Sequence, residues 1–311
     1  MFTRSEKIAV LLSAYNGEKY LKCQIDSILK QKTELAVHLF IRDDGSSDST
    51  RDIIKEYDPS SVTLIEGENV GASESFLQLL EMARKLPSEY AYFAFADQDD
   101  RWDEDKLQTA VSAIESRDKD APWLYGSFYR LTDEDFNPIQ PDVKPLSNPV
   151  LLTSLVQTRI PGHSHVFNRA FLNVLPDPVD KEQVYYYDGF IVQAALANGA
   201  LIYDKEAHAD YRQHGDNVMG QTENPFTWLK QRFRRVMRGD SKKYAKQIVY
   251  IYNLYGHLMS TDEQCELRGF MNSRKNFFRR LKFISHTQIR REGRMQTLLF
   301  KLLYLFGGYN T

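Results

Sequence analysis

Apolar and polar residues follow two different periods along the first third of the chain. Short runs with a period of two residues are separated by stretches with a period near 3.6, the pattern of βαβ units that feed a parallel sheet. We predict strands at Ile8–Ser13, Val37–Arg42, Val62–Glu66 and Tyr90–Ala96. We predict helices at Lys19–Lys30, Ser49–Tyr57 and Ser73–Lys85. These elements indicate an α/β fold with a mostly parallel central sheet.

The pattern is less regular after this unit. It predicts a helix at Glu104–Ser116, a strand at Trp123–Leu131, a proline-rich joint at 138–149, a helix at Tyr187–Asn198 and a strand at Ala200–Tyr203. From Pro225 onward the pattern is wholly helical. We therefore predict an α/β domain over residues 1–224 and a helical C-terminal region over residues 225–311.

The distribution of charge adds to this division. Residues 226–311 hold 18 Lys and Arg against 5 Asp and Glu, whereas the remainder holds 22 against 37. This asymmetry predicts an acidic body joined to a basic region that meets an anionic partner. The chain has two cysteines, no signal-peptide core and no apolar run of about 18 residues. We expect a cytoplasmic protein without a membrane span.

The first candidate site is the segment 43–48, where Asp43 and Asp44 precede Gly45 at the end of a predicted strand. Ligands bind at the carboxyl edge of open α/β sheets. A carboxylate at this edge can accept hydrogen bonds from a nucleobase imide or a ribose hydroxyl. An ordinary capped turn is the alternative.

The second candidate site is the segment 97–100, in which the apolar strand Tyr90–Ala96 ends abruptly in Asp97, Asp99 and Asp100. Clustered carboxylates repel one another unless a cation lies among them. Asp97 and Asp99 emerge on the same side of an extended segment, so both can face one ion, or one ion and one ribose. Hard oxygen ligands favour Mg²⁺ or Mn²⁺. A solvated turn is the alternative.

The third candidate site is the segment 210–220, which is predicted to be a glycine-bounded loop rich in hydrogen-bond donors. His214 is a candidate ligand for a metal or a phosphate, and Arg212 and Gln213 are candidates for contacts with a diphosphate. A surface loop is the alternative interpretation.

In order and spacing, these motifs resemble the family 2 glycosyltransferases with the GT-A fold, from Ile8 to about Gly220. The segment 13–16 resembles the family's first nucleotide-binding loop, which makes Ser13 and Tyr15 candidates for nucleotide contacts. The resemblance further implies that Asp44 contacts the pyrimidine, that Asp97 contacts the ribose and that Asp99 binds the metal.

The resemblance also implies a catalytic base and an acceptor side. Asp188 lies where the family places the base that deprotonates the acceptor hydroxyl, and its place at a helix start is expected to favour the ionised form. A capping acid is the alternative. The segments 97–102 and 210–220 are similar to the rhamnosyltransferase branch, and Gly162 and His163 lie in a segment that resembles its acceptor-side loop.

The implied activity is inverting transfer of a sugar, with L-rhamnose from dTDP-β-L-rhamnose as our first choice of donor. UDP-hexoses and UDP-N-acetylhexosamines are the alternatives. The implied cofactor is Mn²⁺ or Mg²⁺, and the implied acceptor is a saccharide on a lipid carrier in bacterial cell-wall or capsular polysaccharide synthesis. Basic amphipathic patterns at Phe226–Arg238, Arg274–Phe283 and Arg290–Phe306 favour the inner face of the cell membrane. Packing on the catalytic domain or on a second subunit is the alternative.

Other classes of protein fit less well. A dinucleotide-dependent oxidoreductase requires Gly-x-Gly-x-x-Gly after the first strand, where this chain has only Gly17. A zinc hydrolase would use His163, His165, His208 and His214, whose spacing matches no closed zinc motif. The acidic body argues against nucleic-acid binding through the basic region. A catalytically inactive relative stays open.

Overall fold

The computed structural model describes residues 6–139, 144–215 and 239–310. These residues form two compact units. The first unit comprises the described residues up to 147 together with 160–179 and 200–215. The second comprises 148–159, 180–199 and 239–310. The boundary after residue 224 stays a prediction.

The first unit contains a single eight-stranded sheet in the order β3-β2-β1-β4-β7-β6-β8-β5. The strands are β1 Lys7–Ala14, β2 Ala36–Asp43, β3 Val62–Glu66, β4 Tyr90–Ala96, β5 Arg101–Trp102, β6 Leu124–Thr132, β7 Val166–Asn168 and β8 Leu201–Arg212.

The directions of the strands determine which residues meet at each edge. Strands β3, β2, β1 and β4 are parallel, and β7 is antiparallel to both β4 and β6. Since β8 is parallel to β6, both of these strands run in the same direction as β4. The carboxyl ends of β1, β2, β4, β6 and β8 therefore share one edge of the sheet.

Helices surround the sheet and make up most of the second unit. The first unit contains α1 Leu21–Leu29, α2 Thr50–Lys55, α3 Ala72–Arg84, α4 Lys106–Glu115 and α6 Arg169–Val174. The second contains α5 Leu151–Ser154, α7 Tyr187–Ala197, α8 Asp240–Tyr255, α9 Thr261–Ser273, α10 Phe277–His286 and α11 Arg294–Leu305. None of the described helices combines the length and the apolar character needed to cross a bilayer.

The core explains the uninterrupted apolar runs of the sequence. β1 and β4 are buried along almost their whole length, because helices cover both faces of a parallel sheet. The apolar faces of α1 and α4 join these strands in one hydrophobic cluster. The strand predictions for β3 and β4 are confirmed to the residue, and those for β1 and β2 to within one residue.

Two predictions are wrong in their extent. The strand expected at Ala200–Tyr203 continues to Arg212, because it pairs with β6 and so satisfies its backbone hydrogen bonds over that length. Asp210 to Arg212 are therefore strand residues rather than loop residues. The short strands β5 and β7 were not predicted. The predicted helix at Phe226–Arg238 lies outside the described residues.

Candidate nucleotide and metal site

The shared carboxyl edge brings together two predicted metal ligands that are 115 residues apart in sequence. Asp99 follows β4, and His214 follows β8 by two residues. The Nε2 atom of His214 lies 2.8 Å from Oδ2 of Asp99 in a hydrogen bond. Both side chains are largely enclosed, with 14% of Asp99 and 6% of His214 exposed. One carboxylate oxygen and one imidazole nitrogen therefore converge at a single point.

Aromatic rings fix the strand end that carries His214. The His214 ring packs on Tyr20, with centroids 4.6 Å apart. The guanidinium carbon of Arg212 lies 4.5 Å from the centroid of the Tyr20 ring and 4.0 Å from the centroid of the Phe136 ring. Gln213 donates its backbone N–H to the Thr132 carbonyl at 2.8 Å. Arg212 is buried, so its positive charge forms part of the wall of the site. Diphosphate contacts by Arg212 and Gln213 stay predictions.

Gln98, which lies between Asp97 and Asp99 in the sequence, connects the acidic segment to the loop after β1. Its Oε1 accepts the Tyr15 backbone N–H at 2.8 Å, and its Nε2 donates to the Tyr15 carbonyl at 3.1 Å. A Cβ at Gly17 would lie 2.4 Å from Oε1 of Gln98, so a larger residue there would displace the Gln98 amide. Sequence reasoning missed this residue, because nothing local links positions 83 apart.

The loops after β1 and β2 are joined by hydrogen bonds from the backbone. Asn16, at a φ of 47°, donates its N–H to Ser46 Oγ at 2.9 Å and accepts the Ser47 N–H at the same distance. The Gly17 N–H donates to Thr50 Oγ1 at 2.8 Å. Ser13 Oγ lies 2.6 Å from Ser75 Oγ. Tyr15 itself is 48% exposed. The two segments predicted to bind the nucleotide are therefore neighbours, with an exposed aromatic ring between the loops and the solvent.

Asp44, the predicted base contact, is almost completely buried. Its carboxylate pairs with Arg42 and accepts the backbone N–H groups of Val70 and Gly71 at 3.0 and 2.9 Å. These bonds fix the loop after β3 at the same edge of the sheet. A contact between Asp44 and a pyrimidine stays a prediction.

Burial and two neighbouring acids raise the cost of ionising Asp100. The pKa of Asp100 is well above its usual value, because the side chain is buried and because Asp99 and Asp97 add negative charge. A divalent cation among these acids would relieve that repulsion. The half-buried Asp97 follows β4 directly, at the position predicted to face the ribose.

The residues predicted to face the acceptor lie inside the first unit. Gly162 and His163 belong to a short 3₁₀ turn at Gly162–Ser164, and both are buried. Burial holds the pKa of His163 well below its usual value, which favours the neutral imidazole. Contact with an acceptor stays a prediction for both residues.

Asp188, the predicted base, lies in the first turn of α7 in the second unit. Its Oδ1 accepts the Gly189 backbone N–H at 2.6 Å. Burial raises the pKa of Asp188 to about 6, although this backbone hydrogen bond acts in the opposite direction. The backbone hydrogen bond at the helix start favours the ionised form, as expected, but desolvation has the larger effect. A carboxylate with a pKa near 6 is well matched to accepting a proton at neutral pH.

A second acidic group lies between β5, α4 and β8. Three potential metal-ligand atoms, one from each side chain, lie within 4.8 Å of one another; they belong to Asp103, Asp105 and His208. Asp103 accepts two hydrogen bonds from Arg130, at 2.6 and 2.9 Å, so a cation would have to compete with a guanidinium. Of the four histidines considered above, His208 is the one that belongs to this group among the described residues.

Comparisons with known proteins identify the family and the fold. The family model described as "Glycosyl transferase family 2" matches residues 9–168. The dTDP-rhamnosyl transferase RfbG of Shigella flexneri is 25% identical over 262 residues, which cover 78% of this chain and 83% of that protein. An Escherichia coli relative named UDP-Glc:alpha-D-GlcNAc-diphosphoundecaprenol beta-1,3-glucosyltransferase WfgD is 29% identical over 124 residues, 39% of this chain and 45% of that one.

A solved structure shares the fold. Staphylococcus aureus TarS 1–349, in complex with UDP-GlcNAc, superposes with a TM-score of 0.57 at 14% identity. The match covers 97% of this chain and 89% of that chain.

Proposed function

This chain belongs to glycosyl transferase family 2, and on that basis we propose that it is an inverting, metal-dependent enzyme that moves a sugar from a nucleotide-sugar to a saccharide acceptor. The observation that supports the proposal most directly is the pairing of Asp99 with His214 at the shared carboxyl edge. Asp97 and the joined loops after β1 and β2 lie at the same edge, where open α/β sheets bind nucleotides.

The donor set fits a divalent cation. We propose that Asp99 and His214 would hold Mn²⁺ or Mg²⁺, and the imidazole nitrogen favours Mn²⁺, the softer of the two ions. The hydrogen bond between the two side chains, with Nε2 of His214 and Oδ2 of Asp99 2.8 Å apart, supports this assignment. A bound cation would supply positive charge for the departing diphosphate.

Asp188 is our candidate for the catalytic base. Its carboxylate would take the proton from the acceptor hydroxyl as the oxygen attacks the anomeric carbon. The configuration inverts, because the hydroxyl enters opposite the leaving nucleotide diphosphate. A diphosphate leaves as a stabilised anion, so no protein acid is required on the leaving group.

We propose dTDP-β-L-rhamnose as the donor, supported by the similarity to RfbG. UDP-hexoses and UDP-N-acetylhexosamines are the second candidates, since WfgD is named for UDP-Glc and TarS was solved with UDP-GlcNAc.

A panel of these donors, assayed for transfer or slow hydrolysis with and without Mn²⁺, distinguishes the two assignments. We expect the greatest turnover with dTDP-β-L-rhamnose and Mn²⁺. Turnover with UDP-sugars alone would move the assignment to the second candidates. No Mn²⁺-dependent turnover with any of the donors would contradict the proposed activity.

We further propose that the enzyme works at the inner face of the cell membrane on a lipid-linked saccharide. WfgD is named for an acceptor on diphosphoundecaprenol. In the second unit, α10 has no buried residue, and α11 exposes an apolar stripe opposite its buried Phe300 and Tyr304. The stripe consists of Met295, Leu298, Leu302 and the adjoining Phe306, which are 42–75% exposed.

Charge favours a lipid surface over a second copy of the chain as the partner for this stripe. Residues 274–306 contain nine Lys and Arg but one acid, Glu292. Two such surfaces would repel each other, whereas an anionic bilayer attracts basic residues and accepts apolar ones.

Vesicle flotation tests the membrane proposal. The double substitution Leu298→Glu and Leu302→Glu is expected to reduce flotation with phosphatidylglycerol vesicles by about tenfold or more, because it adds two negative charges to the apolar stripe. Leu29→Glu, at an exposed leucine of the first unit, is the matched control and should float like the wild type. Equal flotation of all three proteins would contradict the proposal, as would dimerisation through the stripe in light scattering.

A further inference from the structure

Asp100 is the one acid of the segment 97–100 without a part in the proposed chemistry, and it is completely buried. Its Oδ1 accepts the Arg212 backbone N–H at 3.4 Å. Its Oδ2 lies 3.3 Å from Nδ1 of His163. The chain bends at Gln98 and Asp99, and the two adjacent acids differ in exposure: 14% of the Asp99 side chain is exposed, whereas Asp100 lies in the interior.

Lys106, at the start of α4, supplies a positive charge to the same interior. Its side chain is completely buried, and its Nζ has no hydrogen-bond partner among the residues that the structure describes. Burial lowers the pKa of Lys106 to about 8, while the charges of Asp100 and Asp103 act to raise it. We call Asp100, Lys106 and His163 the inner cluster.

The inner cluster holds the end of β8 at two successive residues. The His163 ring stacks on Tyr211, with centroids 5.1 Å apart and planes 12° apart. Asp100 binds the backbone N–H of the next residue, Arg212. His214 follows two residues later and meets Asp99, the neighbour of Asp100. Two adjacent acids therefore contact the same returning segment, one from inside and one at the site.

We propose that Asp100 is a positioning residue for the metal site: with His163 it holds the end of β8 so that His214 lies beside Asp99. The inference rests on the proposed metal-dependent transfer and assigns a task to residues that do not touch the substrate. Polar groups buried in a core add little net stability compared with well-packed apolar side chains. Stability alone therefore gives little reason to keep three polar groups in this core, whereas placement of a ligand does.

Mn²⁺ binding in the presence of dTDP or UDP, followed by electron paramagnetic resonance, tests the inference without relying on turnover. Asp100→Ala is expected to weaken Mn²⁺ binding by about 10- to 100-fold, as loss of a supporting partner does at metal sites. Asp100→Asn should have a smaller effect, because its amide oxygen can still accept the Arg212 N–H. Ile114→Val, in the buried face of α4, is the control for loss of core packing and should bind Mn²⁺ like the wild type.

Wild-type affinity in Asp100→Ala would overturn the inference. If that variant does not fold, wild-type affinity in Asp100→Asn together with an unchanged His214 resonance would overturn it.

The ¹⁵N resonances of the His214 ring, assigned with His214→Gln, separate this inference from the metal proposal. A wild-type protein that binds no Mn²⁺ would contradict the metal site itself. In that case the ring resonances still report the contact with Asp99. We expect them to shift in Asp100→Ala and to stay unchanged in Ile114→Val, and unchanged resonances in Asp100→Ala would overturn the positioning role.

Discussion

Asp188→Asn is expected to lower kcat for sugar transfer by about 10²- to 10⁴-fold, the range for loss of a positioned general base. The amide has the shape of the carboxylate but cannot take the acceptor proton. Nucleotide-sugar affinity should change by less than about twofold, because the base acts on the acceptor. Steady-state kinetics with a binding titration of the donor nucleotide measures both quantities.

The pH dependence gives the same prediction a second measurement. Because burial raises the pKa of Asp188 to about 6, the wild-type kcat should fall as the pH drops below about 6 and the carboxylate becomes protonated. The acid limb should be absent from the residual activity of Asp188→Asn.

The stability of the same variant controls for misfolding. A raised pKa in the folded state means that the ionised carboxylate costs folding free energy at pH 7, and this cost appears as the pH rises through about 6. The amide removes that cost and retains an acceptor for the Gly189 N–H, so the melting temperature should not fall. Undiminished turnover in a folded variant would rule out Asp188 as the base.

Removal of the metal is the second large effect. Dialysis against EDTA should abolish transfer, and Mn²⁺ should restore it. Asp99→Asn should lower kcat/KM by at least about 100-fold, equivalent to about 3 kcal/mol of transition-state stabilisation, because it removes a charged ligand.

Asp105→Asn is the matched control for the metal prediction. Asp105 belongs to the second acidic group with Asp103 and His208, whose Asp103 is bound by Arg130. This variant should keep the wild-type response to Mn²⁺. If Asp105→Asn lost activity while Asp99→Asn retained it, the metal would bind at the second group, and the assignment of Asp99 and His214 would be wrong.

The first four strands and the helices between them could be predicted from the sequence, because the patterns that determine them are local. Each of the first four strands is a short apolar run followed by a turn, and each intervening helix has its own apolar stripe. The βαβ connection places successive carboxyl ends at one edge, so the acids after β2 and β4 could be expected there. The abrupt change from Ala96 to Asp97 marked the site without any knowledge of its neighbours.

The sequence by itself thus determined the α/β class, the first four strands, the acidic segment 97–100 and the uneven distribution of charge. The tertiary structure decided which of these residues meet. Pairing with β6 extends β8 to Arg212, and this length delivers His214 to Asp99. The sequence also did not predict two other contacts: the hydrogen bond between Gln98 and Tyr15, and the packing of buried Asp100 beside His163. Each is a contact between residues far apart in sequence. Local periodicity predicts which face of an element is buried, but not which residues pack against that face.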